Sequence, residues 1–203
     1  MQGKITITGL NSGKTIERLV NRECMKKHIN NINQIQRKLL IPSVDLCDGK
    51  VYVFSSIENR DTYSDKIIYV NDINIGKAVH ASCSYPGIFS PVKYNDTFLI
   101  DGGIRENVPW KELKQNGAEK VISIVFENEI KEKEELNIID VATKSIDILS
   151  HELSNYELDG ADYLIKIKTK DIHLLDKKKI DYLYNLGYIQ ARAKIEEIKD
   201  IIK

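Results

Sequence analysis

The stretch Ala81-Ser82-Cys83-Ser84-Tyr85-Pro86-Gly87-Ile88-Phe89-Ser90-Pro91-Val92, running on through Lys93-Tyr94-Asn95-Asp96-Thr97-Phe98-Leu99-Ile100 to Asp101-Gly102-Gly103, decides how the rest of the chain is read. A helix leading into it ends at Tyr85-Pro86, because the residue before a proline is pushed out of the helical region and Gly87 permits a tight reversal. Val92 to Tyr94 and Thr97 to Ile100 read as short strands joined by the turn pair Asn95-Asp96. The second strand is apolar to its last residue, so Asp101 stands at a strand end with two glycines behind it. A carboxylate mounted there is the rigidly held, loop-exposed acid that catalytic sites use; the alternative is an ordinary Asp-Gly turn.

Residues Gly76 to Pro109 resemble the second half of the catalytic domain of patatin-like phospholipases. The family's A-S-x-x-x-P-x-x-F-x-P segment is matched by Ala81, Ser82, Pro86, Phe89 and Pro91, and its D-G-[AG] motif by Asp101-Gly102-Gly103. Weaker similarity extends through Ile41-Pro42-Ser43-Val44-Asp45-Leu46 upstream and Ser145 to Ser150 downstream. The resemblance implies an α/β, three-layer fold with a mixed, mainly parallel sheet. It also implies a lipid acyl hydrolase with no cofactor and no metal, in which a serine on a G-x-S-x-G elbow and an aspartate form a catalytic dyad. Asp101 inherits the aspartate's role, and Pro86, Phe89 and Pro91 line the substrate groove.

The family's glycine-rich oxyanion loop and its G-x-S-x-G serine do not occur in this sequence, whose only adjacent glycines are Gly102 and Gly103. The expectation is therefore a single partial domain over residues 1–203, incomplete at the N-terminal side of its sheet by on the order of 60 to 100 residues. The nucleophile is not in this chain, and turnover needs an N-terminal fragment that bears it. The partners expected are a lipid or phospholipid ester and either that fragment or a second copy of the chain. A rival reading is a catalytically inactive lipid-binding or interaction module. A third relocates the nucleophile to Ser82 or Ser84. On the fragment reading Asp101 points across an open edge, and the helices at 74–84 and 136–156 carry uncovered apolar faces.

Composition excludes several other classes. With 42% hydrophobic and 30% charged residues the chain has a soluble, globular balance, and 30 basic against 30 acidic residues leave no electrostatic footprint for nucleic acid. No apolar run reaches the roughly 18 residues of a membrane span, and Met1-Gln2-Gly3-Lys4 starts no signal peptide, so the expected address is cytoplasmic. Cys24, Cys47 and Cys83 are odd in number and widely spaced, which argues for free thiols over a disulfide framework or zinc site.

Along the chain, residues 4–8 alternate as a strand, Gly9 to Lys14 reads as a loop, and about Thr15 to Ile29 as a helix. Gly13-Lys14-Thr15 ends like a phosphate-binding loop, but the leading glycine should sit at position 8, which is Thr8. Asp48-Gly49 marks a hairpin between 39–46 and 51–56. Residues 58–65 read as a surface loop, 66–70 as a strand and 74–84 as the helix entering the central motif. Pro109 suits a first helical residue and Gly117 the position just past the end, which gives a helix over 109–116. A buried strand follows at 120–126, and with the strand ending at Ile100 it suggests a β-α-β unit. Residues 127–135 form a charged loop, 136–156 a helix, 161–168 a strand and 177–202 one or two terminal helices.

Four further features read as structural. Asp159-Gly160-Ala161 also spells D-G-A, but it follows a helix and lacks the upstream proline-phenylalanine pattern, so it is a helix-ending turn. His151-Glu152-Leu153-Ser154-Asn155 has Asn155 where a zinc-protease helix needs a second histidine. His80 and Ser84 share a helix face, which packing at the helix end accounts for. His28 and His173 are surface residues.

Overall fold

The computed structural model describes residues 9–58, 64–127, 137–169, 172 and 177–203. The expected strand at 4–8, most of the loops at 58–65 and 127–135, and His173 lie outside them. The chain divides into two compact units, Met1–Asn107 with Asn137–Leu153, and Val108–Leu136 with Ser154–Lys203.

The first unit opens with α1 (Lys14–Met25), which stops short of Ile29 because His28 takes the left-handed conformation at φ 57°. Strands β1 (Leu40–Asp45) and β2 (Val51–Ser55) form the expected hairpin. Gly49 at φ 74° makes its turn, and the Asp45 and Asp48 carboxylates accept the Cys47 and Lys50 N–H groups. Next come β3 (Ile67–Val70) and α2 (Ile75–Ser82), whose N-cap Asn74 accepts the Lys77 N–H through its side chain at 2.9 Å. The second hairpin, β4 (Val92–Tyr94) and β5 (Thr97–Asp101), turns at Asn95, φ 50°.

These strands make a five-stranded sheet in the order β3-β2-β1-β5-β4. Helix α2 packs on it and α1 packs on α2, with Ile32, Phe54, Ile75, Ala78, Ala81 and Leu99 buried in the core. Helix α2 also buries Gly76 and His80, so the uncovered apolar face expected of it is not found: α1 and the sheet cover it.

In the second unit, α3 (Trp110–Gln115) has Pro109 as its N-cap, one position earlier than expected, and Gly117 beyond its end at φ 90°. Strand β6 (Ile122–Glu127) is followed by α4 (Ile138–Glu157), of which residues 138–153 belong to the first unit. Strand β7 (Tyr163–Lys168) pairs parallel with β6, and α5 (Ile180–Ala193) packs on β7 before α6 (Ile195–Ile202) ends the chain.

The structure is α/β with mixed strand pairing. Of the five ladders among the described residues, β2–β3 and β6–β7 are parallel and the other three antiparallel, two of them because short turns join neighbouring strands. The expected β-α-β unit is corrected: β1 and β4 occupy both sides of β5, and β6 finds its partner in β7. Nor is β6 buried throughout. Val121 and Ser123 are buried, whereas Ile124 and Phe126 are exposed. Helix α4 has no buried residue, and Ile138, Val141, Ile148 and Leu149 leave an apolar stripe open, as expected for it.

Candidate active site

Asp101 is the last residue of β5, and three elements hold it there. On one side it pairs in register with Ser43 of β1, whose hydroxyl donates to the Ile100 carbonyl at 2.7 Å. On the other, the β4 ladder stops at Leu99, and the Asp101 N–H instead donates to the Ser84 carbonyl at 3.1 Å. The carboxylate caps the 3₁₀ turn Gly102–Ile104, its Oδ1 accepting the Gly103 N–H at 2.8 Å. No further hydrogen bond reaches this carboxylate among the described residues. Half-buried, it is pushed by desolvation above the usual aspartate range, against the opposing pull of the Gly103 N–H. A carboxylate so placed is a stronger base than an exposed one, with one oxygen tethered and the other available.

The glycines that follow have steric reasons. A Cβ on Gly102 would lie 2.5 Å from the Pro42 carbonyl oxygen, so β1 passes too close for any side chain. A Cβ on Gly103 would meet only the Asn107 amide oxygen at 2.9 Å and Asp101 Oδ1 at 3.1 Å.

Two other groups lie within electrostatic reach of Asp101. The Cys83 thiol is held above its ordinary value, first by desolvation of the thiol although the residue as a whole is exposed, and then by the Asp101 charge. The Tyr85 phenol is also held up, first by burial and then by its hydrogen bond to Asp147. Its hydroxyl donates to Asp147 Oδ1 at 2.6 Å and approaches the Thr143 carbonyl at 3.2 Å, joining α4 to the central motif. Tyr85→Phe removes both contacts and is expected to cost about 1–3 kcal/mol in urea unfolding at neutral pH. Because the folded phenol titrates above its ordinary value, this stabilisation is complete below the unfolded phenol's titration and is lost as pH rises through the folded one.

Pro86, Phe89 and Pro91 are each half-buried beside this acid-bearing hairpin. Gly87 makes the expected reversal at φ 82°, and the Phe89 N–H donates to the Tyr85 carbonyl at 2.9 Å. The segment has a partner that the sequence did not reveal. Asn11 donates its N–H to the Ile88 carbonyl at 2.9 Å and accepts the Ser90 N–H at 2.8 Å. Glycine is required at position 9, where a Cβ would fall 2.5 Å from the Phe89 carbonyl carbon. The loop that imitates a phosphate-binding sequence is thus a strap across 88–90.

Other sequence candidates fall away. Ser84 is fully buried and its hydroxyl donates to the His80 carbonyl at 2.8 Å, so it is no nucleophile; the His80 ring faces Glu17 and Ser12 instead. Gly160 of the second D-G-A lies against Trp110, whose ring a Cβ would strike at 1.8 Å. That spelling reflects packing, in the turn Leu158–Gly160. Cys24 is half-buried, Cys47 and Cys83 are exposed, and all three are free. Among the described residues no helix is long and apolar enough to cross a membrane.

The α/β fold and the half-buried strand-end aspartate followed by two glycines are the setting in which the family match falls. Residues 3–114, more than half of the chain, match the family model of patatin-like phospholipases, and the chain belongs to that family. It is 39% identical over 46 residues to lysophospholipase NTE1 of Meyerozyma guilliermondii, covering 23% of this chain and 3% of that protein. A probable lipid hydrolase of invertebrate iridescent virus 6 is 29% identical over 112 residues, 52% of this chain and 39% of that protein. An uncharacterized protein of Acanthamoeba polyphaga mimivirus is 32% identical over 115 residues, 56% of this chain and 34% of that one. The chain therefore spans at most 39% of the length of these relatives.

Proposed function

We propose that this chain supplies the acid-base half of a lipid acyl hydrolase acting on carboxylic esters of lipids. The observation that carries the reading is Asp101, half-buried, fastened through one oxygen and raised above the usual carboxylate range by desolvation. The serine comes from a G-x-S-x-G elbow on a segment outside these 203 residues or on another chain. Its hydroxyl attacks the ester carbonyl as its proton passes to Asp101, and backbone N–H groups beside that elbow hold the oxyanion. The ester C–O bond then breaks, the alcohol leaves with the proton, and water releases the fatty acid from the serine in a second, equivalent step. No metal or cofactor enters this scheme. Pro86, Phe89 and Pro91 form the groove wall beside the reacting ester, and the open stripe on α4 supports a protein layer that covers it.

The test is complementation. The chain alone is expected to leave lysophosphatidylcholine intact, and addition of a serine-bearing patatin-like segment is expected to release fatty acid. Robust hydrolysis by the chain alone that survives Asp101→Asn would overturn the assignment. The rival, a lipid-binding module without chemistry, draws support from the missing elbow and the buried Ser84. Lipid retained by the complemented protein without any turnover would decide for it.

A further inference from the structure

The His80 imidazole is buried, and both of its nitrogens meet oxygen acceptors. Nδ1 lies 3.0 Å from the Glu17 carboxylate of α1, and Nε2 lies 2.9 Å from the Ser12 carbonyl in the strap. A carbonyl oxygen never donates, and an ionised carboxylate only accepts. The neutral ring carries one N–H and satisfies one of the two acceptors; the doubly protonated ring satisfies both. The strap is shaped to receive this ring: Gly13 sits at φ 68°, and a Cβ there would fall 2.3 Å from Nε2. Its N–H donates to the Asn11 side chain at 3.0 Å, and Asn11 carries the two main-chain bonds to Ile88 and Ser90.

We propose that His80 is a positioning residue whose doubly protonated ring locks the 9–13 strap onto Ile88 and Ser90, so that the wall of the groove tightens in acid and loosens as the ring loses a proton. Glu17 is the charged group that α1 brings to the ring. On β1, Asp45 is engaged by Thr97 and by the Cys47 N–H. Asp101 of β5 meets α2's end through the Ser84 carbonyl, and Lys77 of α2 and Tyr94 of β4 pair with each other, the ammonium 5.5 Å from the ring centre. The direction follows from proton count. With both ring nitrogens protonated both bonds form, and once the ring gives up a proton one acceptor faces a lone pair and the strap's hold weakens. The consequence for catalysis rests on the proposed function. Asp101 must be ionised to act as base, so turnover would rise with pH through its titration and fall as the strap releases.

Amide hydrogen exchange tests the lock without requiring turnover, so its failure and that of the hydrolase reading are separable. In the full chain, after correction for intrinsic rates, the Asn11 and Ser90 amides are expected to be about tenfold better protected near pH ~5.5 than near pH ~8, while the β1–β2 ladder amides stay constant. Glu17→Gln supplies the second arm. Its amide donates to Nδ1 of the neutral ring, leaving Nε2–H for Ser12, so protection should become insensitive to pH. Three results would overturn the proposal: constant protection in the parent, a change shared equally by the β1–β2 ladder, or an unaltered pH dependence in Glu17→Gln.

Discussion

Asp101→Asn is expected to lower ester turnover of the complemented enzyme by about a thousandfold, the scale of losing a positioned general base, while leaving the fold as stable as before or more so. The two halves of this expectation have one cause. Desolvation raises the Asp101 carboxyl above its ordinary value, so folding disfavours its ionised form. A group whose folded pKa is raised stabilises the fold relative to its ionised state at low pH, and that advantage disappears as pH rises from the ordinary carboxylate value through the raised one. At neutral pH the parent therefore carries a burial cost that the neutral amide escapes. Asparagine keeps an oxygen to accept the Gly103 N–H, so the turn survives. Urea midpoints at neutral pH and at about pH 3 check the sign: the variant's advantage should shrink toward acid. An Asp101→Asn protein that is both active and less stable would remove Asp101 from the mechanism and the packing argument together.

Gly102→Ala is expected to destabilise the first unit by about 3 kcal/mol, whereas Gly103→Ala costs less than about 1.5 kcal/mol. At position 102 the new methyl meets main chain, 2.5 Å from the Pro42 oxygen and 2.8 Å from its carbonyl carbon, and β1 cannot retreat without breaking its ladder to β5. At position 103 it meets side-chain atoms in place of main chain, the Asn107 amide oxygen at 2.9 Å and Asp101 Oδ1 at 3.1 Å. The D-G-[AG] pattern thus has a steric basis in this chain: the first glycine lets β1 pass, and the second crowds only side-chain atoms. Equilibrium unfolding of the two variants measures the asymmetry, and equal losses would mean that the Pro42 contact relaxes freely.

What the sequence displayed was local. Asp48-Gly49 and Asn95-Asp96 announce their hairpins because a turn's backbone angles depend on the residues within it, and Gly49 and Asn95 take the positive φ values those turns require. Asp101 could be placed at a strand end for the same reason, from the apolar run before it and the glycines after it. What was not legible is long-range. The strap pairs Asn11 with Phe89, and His80 meets Glu17 sixty-three residues away; neither pairing leaves a periodic trace. The partner of β6 was equally hidden, since parallel pairing is set by what else competes for an edge, and β1 and β4 had taken both sides of β5. The exposure of β6 was hidden too: Ile122-Ser123-Ile124-Val125-Phe126 is almost continuously apolar, yet Ile122, Ile124 and Phe126 are exposed and Ser123 is buried.

The mount of Asp101 also bears on the order in which the chain folds. The β1–β2 and β4–β5 hairpins close over turns at 46–50 and 95–96, events of about 1–10 μs. The ladder between β1 and β5 is different: the Ser43 hydroxyl must find the Ile100 carbonyl fifty-seven residues along the chain, and closure over such a span is the slow part of folding a small sheet. A chain that has folded as far as its hairpins already owns the aspartate, its glycines and the strand that will hold them. The mount of Asp101 is incomplete until the two hairpins dock, because its strand-end position depends on the ladder between β1 and β5.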